Sequence, residues 1–319
     1  MKAVVYEGPN KVVYKDVADP VLQEGWVRVK VKYAGICGSD LNIFYGTHPR
    51  AKAPLIMGHE NVGMLDCGKR VTFSPLLTCG QCVPCETGNS HVCNTLRLLG
   101  IDKDGGFAEY CAVPAESIIP IPDGVSDKQA ALVEPVAVAV HALRETNFVP
   151  GDNAVVVGCG PIGLCVALTL RLFGASSVLL METDKKRAAL AQEMGFEVVD
   201  PTQASLEEYC FDWVFDCAGA QPAADMLFDL VKVKGNVVIV AAYKKPASLP
   251  LIKGMFKELN VSFVRVYRQK AFEVAVDIVS KDPCFEKIIT HVLPLSQGVE
   301  GFDLVTNPGT GAVKVLLEV

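Results

Sequence analysis

The sequence predicts an α/β protein built on a doubly wound parallel sheet, with a β-rich first third and a short return segment at the end. Three observations carry this reading. Beyond residue 153, continuous apolar strands alternate with helices, as expected of a sheet covered on both faces. A glycine-patterned turn, Gly158 to Gly163, follows the first of those strands. Ahead of them, Val27, Val29, Val31 and Tyr33 alternate with Arg28, Lys30 and Lys32, which is strand periodicity. At 319 residues, half of them hydrophobic, the chain can bury two cores. The expected domains are 1–148, 149–267 and a return to the first over 268–319.

Along the chain, turn residues at 8–10, 19–20, 35 and 38 bracket the early strands. Residues 74–106 hold cysteines and glycines with little periodicity, so that segment needs something other than an apolar core to hold it. Ser126-Asp127-Lys128-Gln129 reads as a capped helix start, and Pro135 is expected to break or kink the apolar run that follows. Further on, helices are expected at 161–173, 185–194 and 222–230, and strands at 155–157, 178–181, 213–216, 236–240 and 261–266. A helix at 271–280 and a strand at 312–317 complete the chain.

Charge and composition exclude several classes. Thirty basic against 36 acidic residues give a net charge of −6, a poor basis for binding nucleic acid or an anionic membrane surface. The longest uncharged run, 153–170, is interrupted by Gly158, Gly160, Pro161 and Gly163, so a strand, turn and buried helix explain it better than a membrane span. The first residues lack an apolar signal segment, and a cytoplasmic protein is expected. Twelve cysteines in a long chain with a full core do not suggest a secreted disulfide framework; four of them lie within fifteen residues, which suggests metal.

Gly158-Cys159-Gly160-Pro161-Ile162-Gly163 has G-x-G-x-x-G spacing between a strand and a helix, the context of a Rossmann dinucleotide site. The first glycine permits the turn, the second admits a pyrophosphate, and the third lets the helix pack on the strand. Glu182, nineteen residues beyond Gly163, is placed to accept the ribose hydroxyls and repel a 2′-phosphate, which favours NAD over NADP. The basic run Lys185-Lys186-Arg187 is the counter-argument, with Arg187 a candidate cofactor contact. A flavin, or a purely structural turn, is the alternative.

Cys79, Cys82, Cys85 and Cys93 are separated by two, two and seven residues. Four thiolates close a tetrahedral shell around a structural zinc; an iron–sulfur cluster is the rival. Cys37, His59, Glu60 and Glu134 are the candidates for a second, open zinc site, where the metal would acidify a bound alcohol. Ser39 can pass the hydroxyl proton onward, and Asp40 can orient a ligand histidine.

Gly35-Ile36-Cys37-Gly38-Ser39-Asp40, Gly58-His59-Glu60, the four-cysteine lobe, Glu134-Pro135 and the glycine turn occur in the order found in zinc-dependent medium-chain alcohol and polyol dehydrogenases, which the whole chain resembles. The sorbitol, butanediol and sugar-alcohol-phosphate branch is the most similar. The resemblance implies a GroES-like β-barrel catalytic domain beside the Rossmann domain. It implies a catalytic zinc on Cys37, His59 and Glu60 or Glu134, and a structural zinc on the four cysteines. It also places Tyr267 beside the substrate and Lys314 near the cofactor pyrophosphate; a packed aromatic and an exposed strand lysine are the plain alternatives. A homodimer or homotetramer is implied as well.

Three departures stand out. The segment from His59 to Cys79 is short, leaving Asp66-Cys67-Gly68 as a tight connection. Gly68-Lys69-Arg70-Val71 replaces the usual Gly-Asp-Arg-Val. Asn42 stands where many relatives carry a proton-relay histidine. The expected activity is hydride transfer between NAD and a secondary alcohol of a polyol, cyclitol or vicinal diol. Threonine or a simple secondary alcohol is the alternative substrate, and a non-catalytic NAD- and zinc-binding protein the alternative class.

Overall fold

The computed structural model describes residues 1–205, 210–307 and 309–319. They fall into two compact units, Met1–Glu134 with Arg268–Val319, and Pro135–Tyr267.

In the first unit, strand Trp26–Gly35 is the hub. Its alternation is realised: Val29 and Val31 are buried, while Lys30 and Lys32 face solvent. It pairs antiparallel with Glu60–Leu65, Tyr110–Pro114 and the terminal strand Lys314–Glu318. Arg70–Phe73, Ile118–Pro120 and Ile289–Pro294 extend this seven-stranded sheet, and a three-stranded sheet is built from Lys2–Gly8, Lys11–Asp16 and Leu55–Ile56. The shortened segment keeps its pairing. Glu60–Leu65 turns directly into Arg70–Phe73, closed by a Leu65 N–H bond to the Lys69 carbonyl of 3.0 Å, with Gly68 at φ +83°.

The helix expected from Ser126 divides. Ser126 and Gln129 cap each other's backbone N–H, and that first helix, Asp127–Ala130, is short. A second helix, Val133–Arg144, then begins. The expected break is present just upstream of Pro135: the first helix ends at Ala130, and Pro135 lies in the first turn of the next, where its missing N–H has no intrahelical partner to lose. The division between units falls inside this helix rather than at the expected 148/149, because the buried apolar run Val136 to Leu143 groups with the second unit.

The second unit is a six-stranded, wholly parallel sheet. Numbering its strands in chain order, Asn153–Val157, Ser177–Met181, Glu197–Val199, Phe211–Asp216, Val231–Ile239 and Asn260–Phe263, the spatial order is 3-2-1-4-5-6. That is the dinucleotide-binding order, with the reversal beside Asn153–Val157. The run Ala154 to Val157 is buried throughout, as a strand covered on both faces demands. The last strand stops at Phe263 instead of the expected 266, and Val266, at φ +43°, has left the extended conformation.

Candidate active site

Local structure brings Cys37, His59 and Glu60 together in the first unit. Cys37 ends the hub strand's run and caps helix Gly38–Phe44, where its N–H donates to Asp40 Oδ2 at 2.9 Å. Gly35 pairs with Glu60 across the sheet, and a Cβ at Gly35 would lie 2.2 Å from Glu60 Oε2. A glycine is thus needed at 35 to leave room for the carboxylate. One ligand atom from each of Cys37, His59 and Glu60 lies within 4.8 Å of the others. His59 Nδ1 is 3.4 Å from Asp40 Oδ1, and its Nε2 is 3.2 Å from Ser39 Oγ. Asp40 is fully buried: one carboxylate oxygen caps the cysteine's helix, and the other faces His59 Nδ1 without a hydrogen bond between them. Burial alone would lower the basicity of His59; the charges of Asp40 and Cys37 outweigh it and raise it well above the ordinary value.

Glu60 also meets Lys314. The ammonium donates to Glu60 Oε1 and Oε2 at 2.7 and 2.6 Å and to the Ile36 carbonyl at 3.1 Å, and both side chains are 1% exposed. Lys314 is therefore neither an exposed strand lysine nor available to a pyrophosphate, because these bonds engage the three donors of its ammonium. Glu134 sits in the first turn of helix Val133–Arg144, buried, but outside the close Cys37–His59–Glu60 group among the described residues. Tyr267 is completely buried, as a packed aromatic is.

The four cysteines form the second cluster. Cys82 Sγ is 3.5 Å from Cys85 Sγ and 3.8 Å from Cys93 Sγ, and Cys93 Sγ is 3.5 Å from Cys79 Sγ. A tetrahedron with Zn–S bonds of ~2.3 Å has edges of ~3.8 Å, so the donor set fits zinc. Burial pushes the Cys93 thiol up, but N–H groups of Cys79 and Thr95 more than offset this and bring it down to about 6. The lobe around it is a two-stranded pairing, Leu76–Leu77 with Arg97–Leu98, and two short helical turns. All twelve cysteines are unbridged.

In the second unit, Gly158 has φ +101° and Gly160 caps helix Pro161–Leu172. A Cβ on Gly160 would meet nothing within 4 Å, so the helix N-terminus opens on free space; a Cβ on Gly163 would lie 1.8 Å from the Gly158 carbonyl oxygen. Ile162 occupies the first turn with them. This cradle fits a dinucleotide pyrophosphate. Glu182 follows the next strand, with Oε2 accepting the Cys159 N–H at 2.8 Å and Oε1 the N–H groups of Thr183 and Asp184. Burial pushes the Cys159 thiol up, helped by the Glu182 charge and opposed by Arg187, which puts the Arg187 charge close to the turn.

Two pairings escape a reading of the sequence. Lys314 and Glu60 lie 254 residues apart, and only the return strand's register brings them together. Asp216, fully buried at the end of its strand, accepts from the N–H of Ala218 and Gly219 and from the Tyr243 hydroxyl at 2.7 Å. It fixes the turn that packs on Gly158. An acid followed by Cys217-Ala218-Gly219 after an apolar strand is the available signal.

A dinucleotide cradle on the doubly wound sheet of the second unit, with two zinc-type donor clusters on the first, defines a metal-dependent dehydrogenase. The comparisons agree. Residues 23–123 match the alcohol dehydrogenase GroES-like domain and 161–281 the zinc-binding dehydrogenase domain. The chain is 34% identical to 2-dehydro-3-deoxy-L-galactonate 5-dehydrogenase of Pseudoalteromonas atlantica, covering 86% of each chain. It is 31% identical to sorbitol dehydrogenase of Halalkalibacterium halodurans, covering 99% of each. Among solved structures, RspB of Escherichia coli CFT073, a short chain alcohol dehydrogenase complexed with NADH, superposes with TM-score 0.93 at 31% identity over 100% of this chain and 99% of that one. This chain belongs to the zinc-dependent medium-chain alcohol and polyol dehydrogenase family. Its GroES-like and Rossmann domains are those of the family, and its chemistry is oxidoreduction of secondary alcohols.

Proposed function

We propose that the chain transfers hydride between NAD and a secondary alcohol of a polyhydroxylated substrate: a polyol, cyclitol, vicinal diol or sugar acid. The observation that carries this is the Cys37–His59–Glu60 group, with Asp40 behind His59 and the Ser39 hydroxyl in front of it. Sugar-acid and sorbitol dehydrogenases among the relatives support the substrate class.

Cys37 and His59 would hold the catalytic zinc, with Glu60 or Glu134 as the carboxylate donor, and Cys79, Cys82, Cys85 and Cys93 the structural zinc. Zinc there supplies Lewis acidity that eases loss of the substrate's hydroxyl proton. The Asp40 carboxylate beside Nδ1 favours a His59 ring that presents Nε2 to the metal. Ser39 Oγ takes the hydroxyl proton and hands it to solvent; Asn42 cannot titrate near neutral pH, so the exit does not run through that side chain. Lys314 holds the Glu60 carboxylate in place through both of its oxygens. In the second unit Gly158, Gly160, Pro161, Ile162 and Gly163 seat the pyrophosphate, with Arg187 nearby, and Glu182 receives the adenosine ribose and disfavours a 2′-phosphate. The alcohol loses hydride to NAD and a proton to solvent, leaving a ketone and NADH.

Two copies of the chain pair, on this reading, through the edge of the parallel sheet. Strand Asn260–Phe263 is the sheet's last, and Phe263 is 75% exposed. The adjoining helix Leu251–Lys257 exposes Leu251, Ile252, Met255 and Phe256, with Phe256 at 77%. An open strand edge flanked by apolar side chains is a site for self-association. No helix of the described residues is long and apolar enough to cross a membrane.

The test is NADH formation by the zinc-loaded protein on sorbitol, a cyclitol, a vicinal diol, an aldonic acid, threonine and a simple secondary alcohol, with NAD and with NADP. Turnover is expected on a polyhydroxylated compound, faster with NAD and lost on zinc removal. Turnover confined to threonine or a simple alcohol would replace the substrate assignment. A preference for NADP would overturn the role of Glu182.

A further inference from the structure

A cavity of about 860 Å³ lies in the first unit, lined by none of the residues of the Cys37–His59–Glu60 group. Its charges are unbalanced. Three carboxylates line it: two are paired with cations, and the third, Asp104, leaves one negative charge against the unpaired cations. Asp19 lies 3.2 Å from the Met1 ammonium. Asp102 takes Arg50 at 3.3 Å and the Leu98 N–H at 2.8 Å. Asp104 accepts the Ile56 N–H at 2.9 Å. Lys15, also on the wall, is bonded to Glu7. That leaves Lys52, Arg97 and Lys103, all lining the cavity, and none in an ion pair among the described residues. Lys103 stands 4.6 Å from the centre of the Trp26 ring, so a cation and an aromatic face share one wall. Leu55, Ile56 and Leu99 supply a buried apolar floor.

Three cations without ion-pair partners along one apolar-floored wall stand out on a chain of net charge −6. Like charges gathered in a concave wall repel one another, and a bound anion relieves that repulsion. The volume is that of a small-molecule site. We propose that this cavity is a second ligand site, taking a small multivalent organic anion, a polycarboxylate or an organic phosphate. The acidic groups meet Lys52, Arg97 and Lys103, and the ligand's apolar body rests against Trp26. Arg97 lies on the short strand that follows the last cysteine of the metal lobe, so occupancy also steadies that strand.

The test is calorimetric titration of the zinc-loaded protein saturated with NAD, so that the pyrophosphate cradle is filled. Citrate is used in one arm and pyrophosphate in the other. The proposal expects saturable one-to-one binding of at least one probe, weakening as salt rises. Binding should fall at least about tenfold in Lys52→Ala/Arg97→Ala, each substitution removing a charge-assisted bond. Citrate alone binding identifies a carboxylate ligand, and pyrophosphate alone a phosphate one. The variant should keep its melting temperature and its turnover. Absence of saturable binding in both arms, or binding unchanged in the variant, overturns the site. Neither outcome bears on turnover, which tests the proposed function separately.

Discussion

Glu60 is held by three close-packed features: the bare backbone of Gly35, the neighbouring His59, and the Lys314 ammonium. Two buried opposite charges offset each other's desolvation, so removing one leaves the other stranded. Lys314→Met should therefore lower unfolding free energy by about 3–5 kcal/mol, read by urea denaturation. Glu60→Gln/Lys314→Met should recover part of the loss, because no uncompensated charge is left. Equal stability of Lys314→Met and the native chain would show that the pair contributes nothing. Cys37, His59 and Glu60 are legible in the sequence because each sits in a short motif. The Lys314 partnership is not, since a lone lysine in an apolar strand carries no sign of the carboxylate it will meet across the sheet.

At the scale of elements, the glycine turn is the clearest case of sequence dictating structure. The strand–turn–helix order is readable because a buried apolar strand, three spaced glycines and a Pro at the helix start each restrict the backbone alone. Gly163→Ala should force the helix off the strand, since its Cβ would lie 1.8 Å from the Gly158 carbonyl oxygen. A stability loss of ~1–3 kcal/mol is expected from the overpacking, together with weaker NADH binding by fluorescence titration. Unchanged affinity would separate this helix from the cofactor. Boundaries are less legible. Pro135 marks the break, but nothing in the sequence places it at 131–132 or announces a new helix at Val133. The strand expected to reach 266 ends at Phe263, since apolar composition does not reveal the positive φ of Val266. The shortened turn at Asp66-Cys67-Gly68 departs from the family's pattern, yet the strands on either side of it pair directly.

At the scale of the whole molecule, the proposed pairing rests on the exposed apolar edge of the second unit. Phe256→Asp/Phe263→Asp places charge where burial against a second copy is expected. It should reduce the mass measured by light scattering to that of a single chain while leaving the far-ultraviolet circular dichroism unchanged. A native chain already monomeric would refute the pairing. On the proposed assignment, the Cys37-centred cluster performs the chemistry, the four-cysteine lobe is structural and the glycine turn binds the cofactor. The most direct measurement compares the native chain with Cys37→Ala in three readouts: zinc per chain, NADH affinity and turnover. The account predicts two zinc ions falling to one, NADH affinity retained and turnover abolished. Turnover that survives the substitution, or a loss of NADH binding with it, would contradict that division of labour.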